Sequence, residues 1–246
     1  MESLRRLVED KVVAIVGPAK YMSGSNYGAE IDSHDLVVRI NRGIESTKKY
    51  PRDIGKRTEI LYSCLIERAQ QAGKIDPQSL KGSYGVKHIV APPVSDMKGF
   101  SNGTRYHSLV KKETIKALSS LFQMSIIDQD LNNEIAKEIK CKPNTGFLAI
   151  YHLLSMNPKS LKVYGFSFYL DGFIPGQKSG VENEKKCTEQ EFADMAFNSK
   201  RHVQVDMWRY AKRTLVNDPR IRLDPVLKEI LNMKEFSRKA FLGIVN

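Results

Sequence analysis

The sequence has few cysteines and no long apolar run. Its three cysteines, Cys64, Cys141 and Cys187, lie far apart without the spacing of metal ligands, and an odd number leaves at least one unpaired. These features disfavour a structural zinc site and a disulfide framework. The longest apolar runs, such as Phe147 to Leu154, are much shorter than the roughly 20 residues that a membrane-spanning helix needs.

The pattern of a secretory signal peptide is also lacking. Residues 1–11 are charged throughout and lead into an apolar run of strand length instead of a signal-peptide core. No repeat or low-complexity stretch is visible, and 41% hydrophobic and 27% charged residues lie close to the globular average. We therefore expect a cytoplasmic chain that folds as a single domain over residues 1–246.

The sequence has fewer acidic than basic residues. The chain carries 39 lysines and arginines against 28 acidic residues, which gives a net charge of +11 and a pI of about 9.5. This excess predicts attraction to nucleic acid, to an anionic membrane surface or to a phosphorylated small molecule. The basic residues are scattered as pairs such as Lys48-Lys49, without a recognised DNA- or RNA-binding module, which disfavours nucleic acid. Peripheral association with an anionic inner membrane surface is an expectation from charge.

Strand-like and helix-like patterns alternate along the chain. The β-branched run Val12 to Val16, ended by Gly17-Pro18, predicts a buried strand of a parallel sheet. Further strands are predicted at Asp35–Ile40, Glu59–Cys64, Val86–Ala91, Leu161–Phe166 and Ile221–Leu223. Helices are predicted at Lys111–Phe122, Leu131–Ile139, Phe147–Ser155, Gln190–Phe197, Val205–Val216 and Val226–Met233. This alternation predicts an α/β fold, a single Rossmann-like domain with a mostly parallel central sheet flanked by helices.

Three polar stretches have the weakest patterns of order: Ser46–Arg52, Asp96–Tyr106 and Pro175–Thr188. The last of them is long enough to form either a lid over a site or a solvated loop.

Glycines cluster after the first predicted strand. Gly17, Gly24 and Gly28 lie in a loop where the absence of side chains suits close approach of the backbone to a phosphate or a ribose. The loop lacks the ending of a Walker A loop and the spacing of a dinucleotide fingerprint. On glycine spacing alone, an ordinary strand-to-helix loop is equally compatible with the sequence.

A longer ordered string surrounds these glycines. It consists of Ile15-Val16-Gly17, Gly24-Ser25 with Gly28, Ile31-Asp32-Ser33-His34, Val37-Val38-Arg39-Ile40-Asn41 and Asp53-Ile54-Gly55-Lys56-Arg57-Thr58. Over about residues 12–58, the string resembles the large sialylmotif of glycosyltransferase family 29, the eukaryotic-type sialyltransferases. Members of that family show Val-Gly-Asn-Ser, Gly-Ser-x-x-Gly, Ile-Asp-x-His, Val-x-Arg-x-Asn and Val-Gly-x-Lys-Thr in the same order.

Two further strings follow in the order that the family shows. Pro143-Asn144-Thr145-Gly146, a helical run and Tyr164-Gly165-Phe166 resemble the small sialylmotif, over about residues 143–166. An N-cap role for Thr145 is an alternative explanation of the local sequence. Residues 202–206, from His202 to Asp206, resemble the very short motif, in which a histidine precedes a glutamate.

The resemblance implies a site. His202 would be the catalytic base, because a neutral imidazole can accept the proton of an attacking sugar hydroxyl. Asp206 is the candidate partner of this base, and Tyr169 is the nearest aromatic candidate for a third family motif whose His-Tyr pair is not found. The residues implied to bind the donor nucleotide are Gly17, Lys20, Ser25, Asn41, Thr145, Gly146, Tyr164 and Gly165.

Two departures from the family bear on these expectations. The family's asparagine in the first loop is displaced by Gly17-Pro18-Ala19-Lys20-Tyr21, and Lys20 enters the binding set as a replacement charge. The family also joins its large and small motifs by a disulfide, and Val13 and Asn157 stand at the corresponding positions. Loss of both cysteines is expected of a relative that folds in a reducing compartment.

The function implied by the resemblance is transfer of a 2-keto sugar acid, sialic acid, from its CMP-activated form to a glycan or glycolipid hydroxyl. The implied enzyme is a GT-A variant of the Rossmann type that inverts the anomeric centre and needs no cofactor and no metal ion. In line with this, the sequence is expected to lack the Asp-x-Asp motif with which other nucleotide-sugar enzymes bind a divalent ion. Two alternatives stay open: a CMP-Kdo-dependent transferase of the same fold, and a non-catalytic nucleotide- or glycan-binding relative.

Overall fold

The computed structural model describes residues 2–67, 72–93, 110–175 and 188–245, and it has an α/β architecture. The strands are β1 (Val12–Val16), β2 (Leu36–Ile40), β3 (Ile60–Tyr62), β4 (His88–Ala91), β5 (Gln123–Ile126), β6 (Ser160–Tyr164) and β7 (Ile221–Leu223). The helices are α1 (Glu2–Val8), α2 (Gly28–Asp32), α3 (Pro51–Ile54), α4 (Pro77–Gly82), α5 (Lys112–Leu121), α6 (Gln129–Ile139), α7 (Thr145–Leu154), α8 (Glu189–Phe197), α9 (Gln204–Thr214), α10 (Pro225–Asn232) and α11 (Arg238–Val245). Two 3₁₀ helices span Lys20–Met22 and Asn41–Lys48.

The seven described strands form one sheet in the order β5-β4-β3-β2-β1-β6-β7, and every pair is parallel. The predicted α/β class is therefore confirmed. From β1 the chain builds the sheet outward to β5 and then returns to the other side of β1. The sheet consequently has a switch point between β1 and β6, and open α/β sheets bind their ligands at such a point, beyond the carboxyl ends of the strands.

Helix α7 packs at the centre of the main hydrophobic core. All of its residues from 146 to 154 are buried, which explains why this run is apolar on every side. His152, the single polar interruption, is satisfied by the hydroxyl of Tyr62 at 2.8 Å from its Nδ1. The hydrogen bond between His152 and Tyr62 ties α7 to β3, and α7 begins at the carboxyl edge of the sheet.

Backbone hydrogen bonds join the segments that carry Val13 and Asn157, the two positions that correspond to the disulfide discussed above. Val13 in β1 pairs directly with Leu161 in β6, and the carbonyl of Asn157 accepts from the backbone N–H of Asp10 at 3.1 Å. Adjacent strands therefore connect these two segments through the backbone.

The predicted strands and long helices all occur, with shifts of a few residues at their ends. The prediction missed β5 because its sequence, Gln-Met-Ser-Ile, follows α5 without a break and exposes Gln123 and Ile126 at the sheet edge. It also missed the short helices α1, α2, α3, α4 and α11, and part of α3 falls in the stretch Ser46–Arg52 that was predicted to be weakly ordered. Asp96–Tyr106 and all but the ends of Pro175–Thr188 lie outside the described residues.

Within the described ranges, none of the helices combines the length and the apolar character needed to cross a membrane.

Candidate active site

A cleft of about 420 Å³ opens beyond the carboxyl ends of β1, β2, β3, β4 and β6. Its walls include Pro18 and Ala19 after β1, Asn41 and Arg42 after β2, and the segment from Gly165 to Phe173 after β6. The amino terminus of α7, the inner side of α8 and the residues before α9 complete it. The cleft therefore lies at the switch point of the sheet.

Helix α7 begins in this cleft. Asn144 is its N-cap, because the side-chain Oδ1 accepts from the backbone N–H of Phe147 at 2.8 Å. Thr145 is the first helical residue, so the alternative that Thr145 itself caps the helix is wrong. Thr145 and Gly146 both line the cleft. The backbone amides of the first turn and the positive end of the helix dipole favour an anion here.

His202 lines the same cleft and is half-buried. Its Nδ1 lies 2.7 Å from the backbone carbonyl oxygen of Lys142. Because a carbonyl oxygen only accepts, Nδ1 carries the proton and Nε2 of the neutral ring has a lone pair. Burial is the main cause that lowers the pKa of His202 to about 4; the charges of Arg201 and Lys142 act in the same direction, and the hydrogen bond to the Lys142 carbonyl opposes them. The ring is therefore neutral at pH 7 and can accept a proton.

In the described structure, no hydrogen bond or ion pair joins Asp206 to His202. Its carboxylate pairs with Arg209 at 2.9 Å on the outer side of α9, and it does not line the cleft. The orienting partner of the His202 ring is the Lys142 carbonyl instead. Residues in the first turn of a helix point in different directions, so the spacing of His202 and Asp206 in the sequence did not guarantee a contact.

Tyr169 does line the cleft. Its ring lies 5.1 Å from that of Phe173, and burial raises the pKa of its hydroxyl to about 12. Phe173 in turn lies 4.9 Å from Phe192 of α8, so one wall of the cleft is aromatic. Phe173 and Phe192 were not predicted from the sequence, since neither lies in one of the motif strings.

Gly17 and Gly165 pack against each other. A Cβ on Gly17 would lie 2.4 Å from the carbonyl oxygen of Gly165, and Gly165 has φ +71°. Gly165 lines the cleft, whereas Gly17 is not among the lining residues. The absence of a side chain on Gly17 is therefore required by the crossing of two protein loops.

The structure does not bring Lys20, Ser25 or Tyr164 to the cleft. Lys20 is exposed on the 3₁₀ helix, and the Ser25 hydroxyl donates to the carbonyl of Asp53 at 3.1 Å. Tyr164 faces the other side of the sheet, where its hydroxyl donates to Glu30 at 3.0 Å. Asn41 is the exception in the first motif: it lines the cleft with φ +45°, and its Oδ1 accepts from the N–H of Cys64.

Two carboxylates, the buried Asp224 and the half-buried Asp171, hold loops that border the cleft. Oδ2 of Asp224, the fully buried N-cap of α10, accepts from the hydroxyl of Tyr21 at 2.7 Å and from the N–H of Gly165 at 2.9 Å. Asp171 accepts from the N–H of Tyr21 at 2.7 Å and from the hydroxyl of Ser167. Burial is the main cause that raises the pKa of both carboxyl groups. The divergent first loop is thus fixed by its own Tyr21.

The described lining of the cleft is basic. Arg42, Lys142 and Arg201 contribute to it, and no described lining residue is acidic. Burial and the charge of Arg201 lower the pKa of Lys142 to about 8. Arg42 forms an ion pair with Glu45 at 2.8 Å. An anionic ligand would therefore enter a favourable field.

The described residues contain no group of three or more His, Cys, Asp or Glu side chains that could hold a metal ion. The sequence does contain an Asp-x-Asp string, Asp128-Gln129-Asp130, contrary to the expectation that such a motif is lacking. In the structure Asp128 caps α6 by accepting from the N–H of Asp130 at 2.7 Å. Neither aspartate lines the cleft, so this string serves the start of a helix.

The sequence of the chain matches a known protein family. The sequence profile of Glycosyltransferase family 29 (sialyltransferase) matches residues 10–173, which is more than half of the chain. The chain belongs to glycosyltransferase family 29. The predicted family is thereby confirmed, and the match includes β1, the start of α7 and β6, whereas His202 and α9 lie beyond it.

Two mammalian proteins are among the relatives of this chain, and both are named CMP-N-acetylneuraminate-beta-galactosamide-alpha-2,3-sialyltransferase 1. The protein from Mus musculus is 43% identical over 54 residues, 22% of this chain and 15% of the relative. The protein from Sus scrofa is 26% identical over 175 residues, 66% of this chain and 46% of the relative. This family 29 chain therefore spans less than half the length of either relative.

Solved sialyltransferases share the fold. A variant of CST-II in complex with CMP, an enzyme of Campylobacter jejuni, superposes with a TM-score of 0.51 and 12% identity over 87% of this chain and 80% of that chain. A mammalian sialyltransferase superposes with a TM-score of 0.50 and 17% identity over 89% of this chain and 70% of that chain. At these identities the likeness concerns the fold alone.

Proposed function

We propose that this chain transfers sialic acid from a CMP-activated donor to a hydroxyl group of a glycan. The observation that carries the proposal is the cleft itself, in which a neutral His202 with an available Nε2 and the amino terminus of α7 share a basic lining. Membership in family 29 and the names of the relatives support the same reaction.

The donor suits the charge of the cleft. CMP-sialic acid carries a negative phosphate and a negative carboxylate. In this proposal the first-turn amides of α7, together with Asn41, bind the phosphate, since free helix amides and the dipole stabilise an anion. Lys142 and Arg201 supply the surrounding positive charge.

His202 acts as general base in the transfer step. Nε2 takes the proton of the acceptor hydroxyl while the oxygen of that hydroxyl forms a bond to the anomeric carbon of the donor. The bond between that carbon and the phosphate oxygen breaks, and CMP leaves with the electron pair. Attack on the face opposite to CMP inverts the anomeric centre. A bound anionic donor offsets the charges of Lys142 and Arg201, which raises the pKa of His202 above about 4.

Metal independence is part of the proposal. A single phosphate leaves with CMP, and preorganised amides and basic side chains can stabilise the charge that develops on it. A chelator such as EDTA is therefore expected to leave the transfer rate unchanged.

Ligand-dependent unfolding tests the donor assignment. A ligand at 100 times its Kd stabilises the native state by about 2.7 kcal/mol. CMP should therefore raise the melting temperature by several degrees, and UDP and GDP at equal concentration should not. Equal shifts with the three nucleotides, or no shift with CMP, would contradict CMP as the donor nucleotide.

A further inference from the structure

His202 is anchored on three sides. Its backbone N–H donates to the hydroxyl oxygen of Ser199 at 3.1 Å, and its ring Nδ1–H donates to the carbonyl of Lys142 at 2.7 Å. The third contact is made by Gln204, whose Nε2 donates to the carbonyl oxygen of His202 at 2.6 Å. The hydrogen bond from Gln204 has no part in the reaction described above.

The orientation of the Gln204 amide follows from its partners. Nε2 also faces the carbonyl oxygen of Ala196 at 3.3 Å, so the amide bridges two acceptors. Only the nitrogen end of an amide can donate to them, which assigns Nε2 and Oε1 without ambiguity. Gln204 is 2% exposed, and its Oε1 has no hydrogen-bond partner within the described part of the chain. A buried acceptor without a donor is unfavourable for stability.

The second acceptor belongs to a wall of the cleft. Ala196 is in α8, and Phe192, Met195 and Ala196 of this helix line the cleft. Gln204 is the first residue of α9 and also lines the cleft. One side chain therefore connects the backbone of the candidate base to the helix that forms the opposite wall.

We infer that Gln204 is a positioning residue for His202: it holds the backbone carbonyl of the residue from which the imidazole projects, and it ties that backbone to α8. The inference rests on the proposed function, in which Nε2 of His202 must lie within reach of an acceptor hydroxyl. A displacement of about 1 Å in a reacting group costs up to about a hundredfold in rate. To donate to both carbonyl oxygens, residue 204 needs two N–H groups at the end of a side chain of this length, and glutamine provides them.

The substitution Gln204→Met tests the inference, because methionine keeps the length and removes both donors. We expect kcat to fall about ten- to a hundredfold, while the melting shift caused by CMP stays within error of wild type. The expected change in the His202 ring is a pKa, measured by NMR titration, that rises from about 4 towards 6.5 as the ring gains access to water. Arg201 and Lys142 are the charged groups that face the ring, and both are kept in this variant.

A matched control and a second variant complete the design. Gln78→Met makes the same change at an exposed position of α4, outside the cleft lining, and should leave kcat and the His202 titration as in wild type. Gln204→Asn keeps an amide that is too short for both carbonyls, and it should give an intermediate loss if Gln204→Met does not fold. Wild-type kcat and an unchanged His202 pKa in a folded Gln204 variant would overturn the inference.

The two readouts separate this inference from the proposed function. If the wild-type chain transfers no sugar from CMP-sialic acid, the proposed function fails. The His202 titration in Gln204→Met still decides whether Gln204 holds the ring, since it needs neither donor nor acceptor.

Discussion

The guanidinium group of Arg39 is almost completely buried in β2, with 1% exposure. It donates to the carbonyl of Ile54 at 2.6 Å, to the carbonyl of Arg57 at 3.1 Å and to the hydroxyl of Thr58 at 3.0 Å. Burial lowers its pKa to about 10, and the charges of Asp32 and Glu59 oppose that shift. At this pKa the group stays charged at pH 7 and holds the segment after α3 against the sheet.

Replacement of Arg39 should therefore affect stability before it affects ligand binding. Arg39→Met removes the donors and leaves buried carbonyl oxygens without partners, which should lower the free energy of unfolding by about 3 kcal/mol. Urea unfolding measures the change. Arg209→Met, at an exposed ion pair, is the matched control and should change stability by less than about 0.5 kcal/mol. Equal values for the two variants would show that the buried hydrogen bonds are not stabilising.

The two charged or titratable residues of the very short motif should behave differently. His202→Ala removes the base and is expected to lower kcat by at least about a hundredfold with CMP binding retained. Asp206→Asn, on the outer side of α9, should leave kcat within about threefold of wild type. Steady-state kinetics and CMP-dependent melting measure both. A loss with Asp206→Asn as large as that with His202→Ala would restore Asp206 as a partner of the base.

Single residues show where reasoning from sequence reaches its limit. The resemblance to the family led to Asn41, Thr145, Gly146, Gly165, Tyr169 and His202, which all line the cleft. It also led to Tyr164, whose side chain faces the opposite side of the sheet because neighbouring residues in a strand alternate. A sequence motif is the set of residues that recur together in a family. Many of these residues, such as Arg39, hold the loops that form the site.

At the scale of elements, α7 was the most predictable part of the molecule. A long apolar run after Pro-Asn-Thr-Gly indicated a helix, and the structure starts it two residues earlier than predicted, at Thr145. The difference arises because the sequence pattern marks the apolar residues, whereas the helix begins at its N-cap, Asn144. Helices α2 and α3 span only Gly28–Asp32 and Pro51–Ile54, too short for a helical period to be recognised.

Gly146 tests the role of the α7 amino terminus. A Cβ at this position would lie 3.0 Å from the ring of Phe166, and the methyl group would enter the space beside the first-turn amides. We expect Gly146→Ala to weaken CMP binding at least about tenfold. Its melting temperature should stay close to that of wild type, because the gain in helix propensity offsets the crowding. Titration calorimetry with CMP measures the affinity.

The control for this prediction is Gly82→Ala at the end of α4. No atom lies within 4 Å of a Cβ placed there, so the substitution should raise stability by about 0.5–1 kcal/mol and leave CMP affinity unchanged. If Gly146→Ala binds CMP as tightly as Gly82→Ala does, then the start of α7 does not contact the nucleotide.

At the scale of the whole molecule, the strand order could not be derived from the sequence. Strand β1 pairs with β2, which follows shortly, and with β6, which is distant in the chain. Alternation of strands and helices predicts a parallel sheet but leaves open on which side β6 is added. The position of the cleft depends on that choice, since the carboxyl ends of β1 and β6 meet there.

The stability of the molecule should fall in mild acid. Burial lowers the pKa of His88, His152 and His202 to about 4, below the usual value of 6.5. Between these two values the unfolded chain binds more protons than the native state, so stability is full above pH 6.5 and is lost as the pH falls towards 4. Asp171 and Asp224 act in the opposite direction, because burial raises the pKa of their carboxyl groups.

The variant His152→Gln isolates one of these contributions. Each histidine contributes up to about 1.4 kcal/mol per pH unit to the slope of the unfolding free energy against pH. Urea unfolding between pH 7 and pH 4.5 should give a slope that is smaller in His152→Gln by about that amount. An unchanged slope would contradict the assignment of His152 as a neutral buried group.

Mass spectrometry of reaction products tests the central claim most directly. The wild-type chain and His202→Ala are incubated separately with CMP-sialic acid and with CMP-Kdo in the presence of a panel of glycans. We predict a glycan whose mass has increased by one sialic acid residue with the wild-type chain and CMP-sialic acid, and at least about a hundredfold less of that product in the same time with His202→Ala. Transfer from CMP-Kdo alone, or a sialylated product formed equally well by His202→Ala, would contradict the account.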